Sequence, residues 1–419
     1  MAIPKLALIP AAQGTSLYSV LPSNGVGDFA FTRAGSATRI NSQGLIETVA
    51  SGVSRLNYPL IDGVVNGCPS YLLEPLRTQK IQYSEAFDNN AYWTKSAASV
   101  TSGFTSPDGT ANAFKLVENS SNSSHSLQSS FVSGASGADT FSVFAKSDGR
   151  FNFSIVEDAY TGINVIVNLQ DGTITTTGQQ ANIISLKNGW YRIDVTRADS
   201  PNPSRWLISL LDSSNNASYQ GDGTSGVYIW GAQLEAGSYP TSYIPNYGTA
   251  AGVTRSAETA NGSGDASTFN DSEGVLFAEI SALADDGTNR YFSLSDGSIS
   301  NRVNIFFDSN SKLRGYYNGL SGSIIINIDT TVNNKIAFKY KSGDSAFWVN
   351  GIEVATRADS LSLVGLNSIS FDLGGGSDFY GNTKQIQYFD LALNDSELET
   401  LTSWVSFTDM ANSQQFTIE

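Results

Sequence analysis

The sequence predicts an all-β chain: an extended N-terminal arm followed by two antiparallel β-sandwich domains of jelly-roll type. Three observations predict it. Apolar residues alternate with polar ones at period two in two separate regions, the mark of strands buried on one face. Asn-Gly and Asp-Gly pairs sit between such runs, where tight hairpins want residues tolerant of positive φ. And 39 glycines punctuate a chain whose only helical stripe lies near its end.

Residues 1–80 carry turn formers (Gly25, Gly27, Gly35, Gly44, Gly52, Gly63, Gly67) and short strand-like pieces such as Asp28–Thr32. So little periodicity over this length rarely makes a core. Leu, Ile, Tyr and Phe are too frequent for a free tail, so the segment reads as an arm that packs on a partner or a neighbouring subunit. Residues 81–252 read as the first sandwich. Phe151, Phe153 and Ile155 alternate with Asn152 and Ser154, and Tyr191, Ile193 and Val195 with Arg192, Asp194 and Thr196. Asp171-Gly172 is the expected two-residue hairpin. Residues 253–419 read as the second sandwich. There Val303, Ile305 and Phe307 alternate with Arg302, Asn304 and Phe306, and Ile336, Phe338 and Tyr340 with Lys335, Ala337 and Lys339. Asn350-Gly351 joins two strands. Ser396–Glu399 fits a capping box opening a helix with Leu398, Leu401 and Val405 on one face, followed by a short tail. Between the sandwiches, Ala260–Ser267 reads as a flexible connector.

Composition narrows the chemistry. With 24 Lys+Arg against 39 Asp+Glu the net charge is −15, which argues against nucleic-acid binding. The charge is uneven. Residues 1–80 hold six basic and four acidic residues, residues 81–250 hold 8 and 14, and residues 251–419 hold 10 and 21. A slightly basic arm beside two acidic bodies suits docking on something else. One Cys and one His exclude a disulfide framework and a zinc cluster. No run approaches the roughly 18 apolar residues of a membrane span. The apolar start is broken by Pro4 and Pro10, so it reads as a poor signal peptide and the chain as made in a cytoplasm.

Several stretches are more specific. DFAFTRAGSATRINSQGLIETV from Asp28, CPSYLLEPLRTQKIQYSEAFDNNAYWTK from Cys68, SPDGTANAFKL from Ser106, NGWYRIDVT from Asn188, GDGTSGVYIWGAQLEAGSYPTSYIPN from Gly221 and Val253-Thr254-Arg255 together resemble a family of bacteriophage virion proteins. That family comprises tail-fibre, tail-associated and head-fibre components with carbohydrate-binding-module-like jelly rolls. Gln79 departs from it, standing where an Asn is expected. Residues 270–405 resemble the laminin-G or concanavalin A-like lectin superfamily, on KIAFKYKSGDSAFWVNGIEV from Lys335 and FYGNTKQIQYFDLALNDSELETLT from Phe379. The resemblance implies a non-enzymatic virion part on the outer surface of the particle. It would be attached to other virion proteins through residues 1–80, homo-oligomeric with a trimer first by analogy, and adhesive towards a host surface polysaccharide. Two other classes stay open: a decoration or joint protein without ligand, and a glycan depolymerase.

Candidate residues are few. His125 lacks a nucleophile and an orienting acid in its sequence context, so it reads as a sheet-face histidine. Cys68 reads as a buried structural thiol. The adjacent acids Glu157-Asp158 and Asp285-Asp286 would point to opposite faces of a strand, and the Glu-x-Asp-x-x-Glu strand pattern of concanavalin-like glycosidases does not occur. No catalytic residue is assigned. Calcium is the one cofactor left open, with loop residues Asp285, Asp286, Asn289, Asp296 and Asp222 as candidates. Trp190, Trp230 and Trp348 sit in strand patterns and read as core. Trp206, Tyr316 and Tyr317 are the candidates for stacking on sugar rings.

Overall fold

The computed structural model describes residues 2–132, 137–157, 164–198 and 204–414. Strands dominate, all named pairings are antiparallel, and the sheets pack as two sandwiches, as the period-two pattern required.

The first sandwich is built from residues 81–236. One six-stranded sheet runs Trp93–Ser96, Ser126–Ser129, Trp206–Leu210, Asn152–Glu157, Asn164–Asn168, Thr173–Thr176. The other runs Ala98–Phe104, Ala113–Glu118, Gly226–Ala236, Asp139–Asp148, Tyr191–Arg197, Gln180–Ser185. Phe153, Ile155, Ile193 and Val195 point into the core between them, as their alternation predicts. Phe151 lies just outside its strand and is exposed. The Asp171-Gly172 hairpin is a four-residue loop, Leu169–Gly172, and only Gly172 of the pair takes positive φ.

The second sandwich is assembled from both ends of the chain. Its five-stranded sheet runs Ile324–Ile326, Leu313–Tyr317, Arg302–Phe307, Arg290–Ser295, Ser368–Ser370. Facing it is a nine-stranded sheet in which Gly381–Phe389 pairs with Glu273–Ala282 along one edge. Along its other edge lie two pieces of the N-terminal segment. Leu6–Leu8 pairs with residues 386–388, and Ser70–Leu73 reaches residues 381–383. Leu6, Leu8, Leu17, Phe29, Phe31, Tyr71 and Leu73 share one core with Leu276, Phe338 and Ile386.

Residues 1–80 are therefore not an extended arm. They supply four strands of the nine-stranded sheet. Ile46 also packs beside Phe144, Trp190 and Trp230 on the outer face of the first sandwich. Leu6–Leu8 and Ser70–Leu73, only three and four residues long, pair with a strand more than 300 positions away, so no local period betrays them. Nor is Ala260–Ser267 a free connector. Thr259–Asn261 pairs with Phe29–Thr32, and Ser263 bridges Ile369. The first sandwich is an insertion. The chain enters it by Arg77–Gln79 and leaves by Val253–Arg255, and these strands pair with each other. Gln79 seals the neck from within. Its amide donates to Ala232 O at 2.7 Å and accepts from Ile81 N and Leu234 N.

A buried ionic network fills that neck. Glu258 takes Arg33 Nη1 at 2.6 Å and Arg55 Nε at 2.9 Å. Glu74 takes Arg55 Nη2 at 2.8 Å and Arg255 Nη1 at 2.7 Å, and accepts from Ser242 N and Oγ. Two arginines of the basic arm are thus neutralised inside the chain, and Arg39 pairs with Glu47. Burial pushes the Glu74 carboxyl up, but Arg255 and Arg55 outweigh it and hold it down to about 2.

The Asn350-Gly351 hairpin forms with both residues at positive φ, 51° and 85°. Gly351→Ala is expected to cost about 1–2 kcal/mol in urea unfolding, because a side chain is disfavoured at this φ and its Cβ would sit 2.8 Å from Ser403 Oγ. The helix near the C-terminus spans Asp395–Thr402, and its capping box lies two residues before the expected one. Asn394, not Ser396, is the cap: its side chain accepts from Glu397 N, and Glu397 returns the bond. Leu398 and Leu401 pack on Val275, Phe277 and Trp348. Val405 lies beyond the helix and is exposed.

Candidate functional site

The sequence candidates separate on burial. Trp206 is 1% exposed. Its ring stacks on Phe141 at 4.6 Å with Arg197 above it at 4.8 Å, so it is core and offers no face to a sugar. Tyr317 is fully buried, beside Phe338. Tyr316, its neighbour on the strand, points the opposite way and is half-buried on the outer face of the five-stranded sheet. The two adjacent tyrosines could not both be surface residues, because successive strand positions alternate.

Tyr316 has company there. Register places Tyr291, Phe306, Arg314 and Ile325 in one row across the sheet, and Ser293, Asn304 and Tyr316 in the next. Tyr291 stacks on Phe306, centroids 4.4 Å apart and 14° from parallel. The Arg302 guanidinium lies 4.7 Å over Tyr316. With the Asn304 amide turned to satisfy both its ends, its oxygen accepts from Arg302 Nε at 2.8 Å. Arg314 is held by Asp308. Burial pushes the Asp308 carboxyl up, but bonds from Lys312 N and Asn310 N and the Arg314 contact prevail and keep it below the usual carboxylate range. Burial also raises the Tyr291 phenol, against the pull of Arg302 and Arg314, so it stays a neutral donor at pH 7. The result is an aromatic shelf flanked by two arginines, with phenol and guanidinium donors beside it and the buried Asn304 amide holding Arg302 in place. Sequence reasoning missed Tyr291 and Phe306. The signal was present: the alternation that buries Ile305 and Phe307 turns Arg302, Asn304 and Phe306 outward together.

The outer face of the first sandwich's Trp206-bearing sheet differs. It carries Ser126, Gln128, Ser154, Leu207 and Ser209, and no aromatic ring among the described residues. Trp190, Trp230 and Trp348 are buried. His125 is buried too, not on a sheet surface, with Nδ1 2.7 Å from Ala97 O and its ring 4.7 Å from Tyr219. Cys68 is exposed, not a core thiol, since Gly67 turns the chain outward there.

The loop acids are each engaged locally. Asp286 binds Arg290 and Thr288, Asp285 binds Ser311, Asp296 caps Ser298, and Asp222 caps Thr224 and Ser225. Among the described residues no three metal-ligating side chains cluster. Glu157 shares Arg197 with Asp139, and Asp158 lies outside the described residues. Among the described residues no helix is long and apolar enough to cross a membrane.

No protein-family model matches the chain, and no curated protein matches it in sequence. Solved structures similar to it include the carbohydrate-binding module CBM40 of the Ruminococcus gnavus IT-sialidase, at 15% identity over 34% of this chain and 92% of that one, TM-score 0.28. The CBM22 tandem of Paenibacillus barcinonensis Xyn10C is similar at 8% identity over 76% and 99%, TM-score 0.25. The LG4-5 domains of the mouse laminin α1 chain are similar at 9% identity over 81% and 96%, TM-score 0.23. At such scores the likeness carries no argument about the site. The class rests on this chain's own strands: an all-β protein of two antiparallel sandwiches, one inserted into the other.

Proposed function

We propose that this chain is a non-enzymatic, glycan-binding component of a bacteriophage virion. The observation that carries the glycan reading is the shelf of Tyr291, Phe306 and Tyr316 with Arg302. Sugar rings present an apolar face that stacks on aromatics, and hydroxyls that bond to phenol and guanidinium groups. A shallow sheet face gives weak single contacts, which repetition on an oligomeric particle part would strengthen through effective concentration. The virion placement, outer-surface location and trimeric state rest on the resemblance of the quoted stretches alone. Residues 1–80 remain the proposed route of attachment to other virion proteins, now through their exposed side chains, such as Ile3 and Val64.

The full chain is expected to bind at least one host surface polysaccharide on a glycan array. Tyr316→Ala should lower that affinity by roughly 2- to 10-fold, the worth of one aromatic contact, without moving the melting temperature. Absence of binding to every polysaccharide, or binding indifferent to Tyr316, Tyr291 and Phe306, would overturn the glycan reading. Release of reducing ends would favour a depolymerase instead.

A further inference from the structure

A cleft of about 1630 Å³ lies where the N-terminal segment, the first sandwich and the second sandwich meet. Tyr58 and Leu60 come from the first of these, Lys187, Tyr191 and Arg192 from the second, and Lys384 from the third. Two of its cations are placed in unusual ways.

Arg192 stands on the strand Tyr191–Arg197, level with Phe144, whose ring lies 5.3 Å beneath its guanidinium. Its Nη2 donates to Ser142 Oγ at 3.0 Å, and its Nε is buried without a partner. No carboxylate among the described residues reaches within the 4.0 Å of an ion pair with it. A guanidinium presents five donors in a planar fork that suits a carboxylate, and leaving donors unpaired in a partly buried site is costly. Most arginines around it have such a partner: Arg33, Arg39, Arg55 and Arg255 all do.

Lys384 stands on the opposite wall, in the strand Gly381–Phe389. Glu279 pairs with Gln385 and Ile280 with Thr383, so Lys384 is the extra residue of a β-bulge. Bulges re-aim a side chain out of the regular alternation, and this one sends to the cleft a lysine without an ion-pair partner among the described residues. It falls where neither Leu6–Leu8 nor Ser70–Leu73 covers the strand. Two cations without an ion-pair partner among the described residues thus line one cleft in a molecule of net charge −15, beside the half-buried ring of Tyr58.

We infer that this cleft is a second ligand site, one that takes an acidic oligosaccharide whose carboxylates pair with Arg192 and Lys384 and whose rings lie along Tyr58. A neutral sugar would hydrogen-bond the guanidinium but leave its charge and that of Lys384 uncompensated. A bare polyanion would leave Tyr58 without a partner. The site is separate from the aromatic shelf and does not depend on it.

The test is calorimetric titration of the full chain with hexagalacturonate. Binding is expected, weakened about tenfold or more by Arg192→Gln and by Lys384→Gln, as for loss of a charge-assisted bond, and unchanged by Tyr316→Ala. Cellohexaose and a polyphosphate of equal charge should bind at least about tenfold more weakly. Lys384 is half-buried at a bulge, so its variant keeps the test open if Arg192→Gln fails to fold; melting curves decide that. The inference is overturned if hexagalacturonate does not bind, if neither substitution weakens it, or if cellohexaose or polyphosphate binds as tightly.

Discussion

A fragment of residues 254–419 alone is expected to be aggregated or molten, with dye-accessible apolar surface and no cooperative unfolding transition. The connectivity makes it look like a complete lectin-like domain, but its core is not self-contained. Removing residues 1–80 strips the open edge of Gly381–Phe389 and takes Leu6, Leu8, Leu17, Phe29, Phe31, Tyr71 and Leu73 out of the core. At about 1.5–3 kcal/mol for each large apolar side chain, that loss exceeds the whole stability of an ordinary domain. The bare strand edge would also template aggregation. The converse follows from the same topology. Gln79 and Val253 are cross-strand partners, so a two-residue turn joining them should delete the first sandwich and leave the second folded. Circular dichroism and urea unfolding of both products check this. A cooperative, monomeric 254–419 fragment would refute the composite core.

Glu258→Ala should destabilise the full chain by about 3–5 kcal/mol, the usual result of removing one partner from a buried ion pair. Its carboxylate serves Arg33, Arg55 and the backbone of Glu74 at once. Without it two arginines are left buried with only Glu74 between them. The same network sets an acid limit. The Glu74 carboxyl is held down to about 2 in the folded chain, against about 4.3 for a free glutamate. A depressed folded value means the unfolded chain binds the proton more readily. This stabilisation is therefore complete above about pH 4.3 and lost as pH falls through about 2. Urea midpoints of the native chain should drop across that window, and those of Glu74→Gln should drop less. Equal slopes would place the acid sensitivity elsewhere.

Much of the fold was readable because its strongest signals are local. Asn350-Gly351 makes its hairpin because two residues suffice to set positive φ, and Ile305 and Phe307 face inward because a strand alternates. The connector at Ala260–Ser267 misled for the same reason. Gly and Ser there look mobile, yet Ala260 and Ser263 are buried by strands from either end of the chain. Of the three stacking candidates only Tyr316 reaches the surface. Trp206 looked exposed beside Pro201 and Pro203, whose short range says nothing of Phe141 waiting across the core.

The sequence by itself determined the all-β class, the two alternating regions and most hairpin positions, since period and turn chemistry act over a few residues. Only the tertiary structure decided what the first 80 residues are. Their charge looked like an arm seeking a partner, but the partners are Glu74 and Glu258 of the same chain. Pairing across hundreds of residues is set by edge, register and burial, none of which leaves a local trace. The same long-range closure brought Arg192 and Lys384 to one cleft.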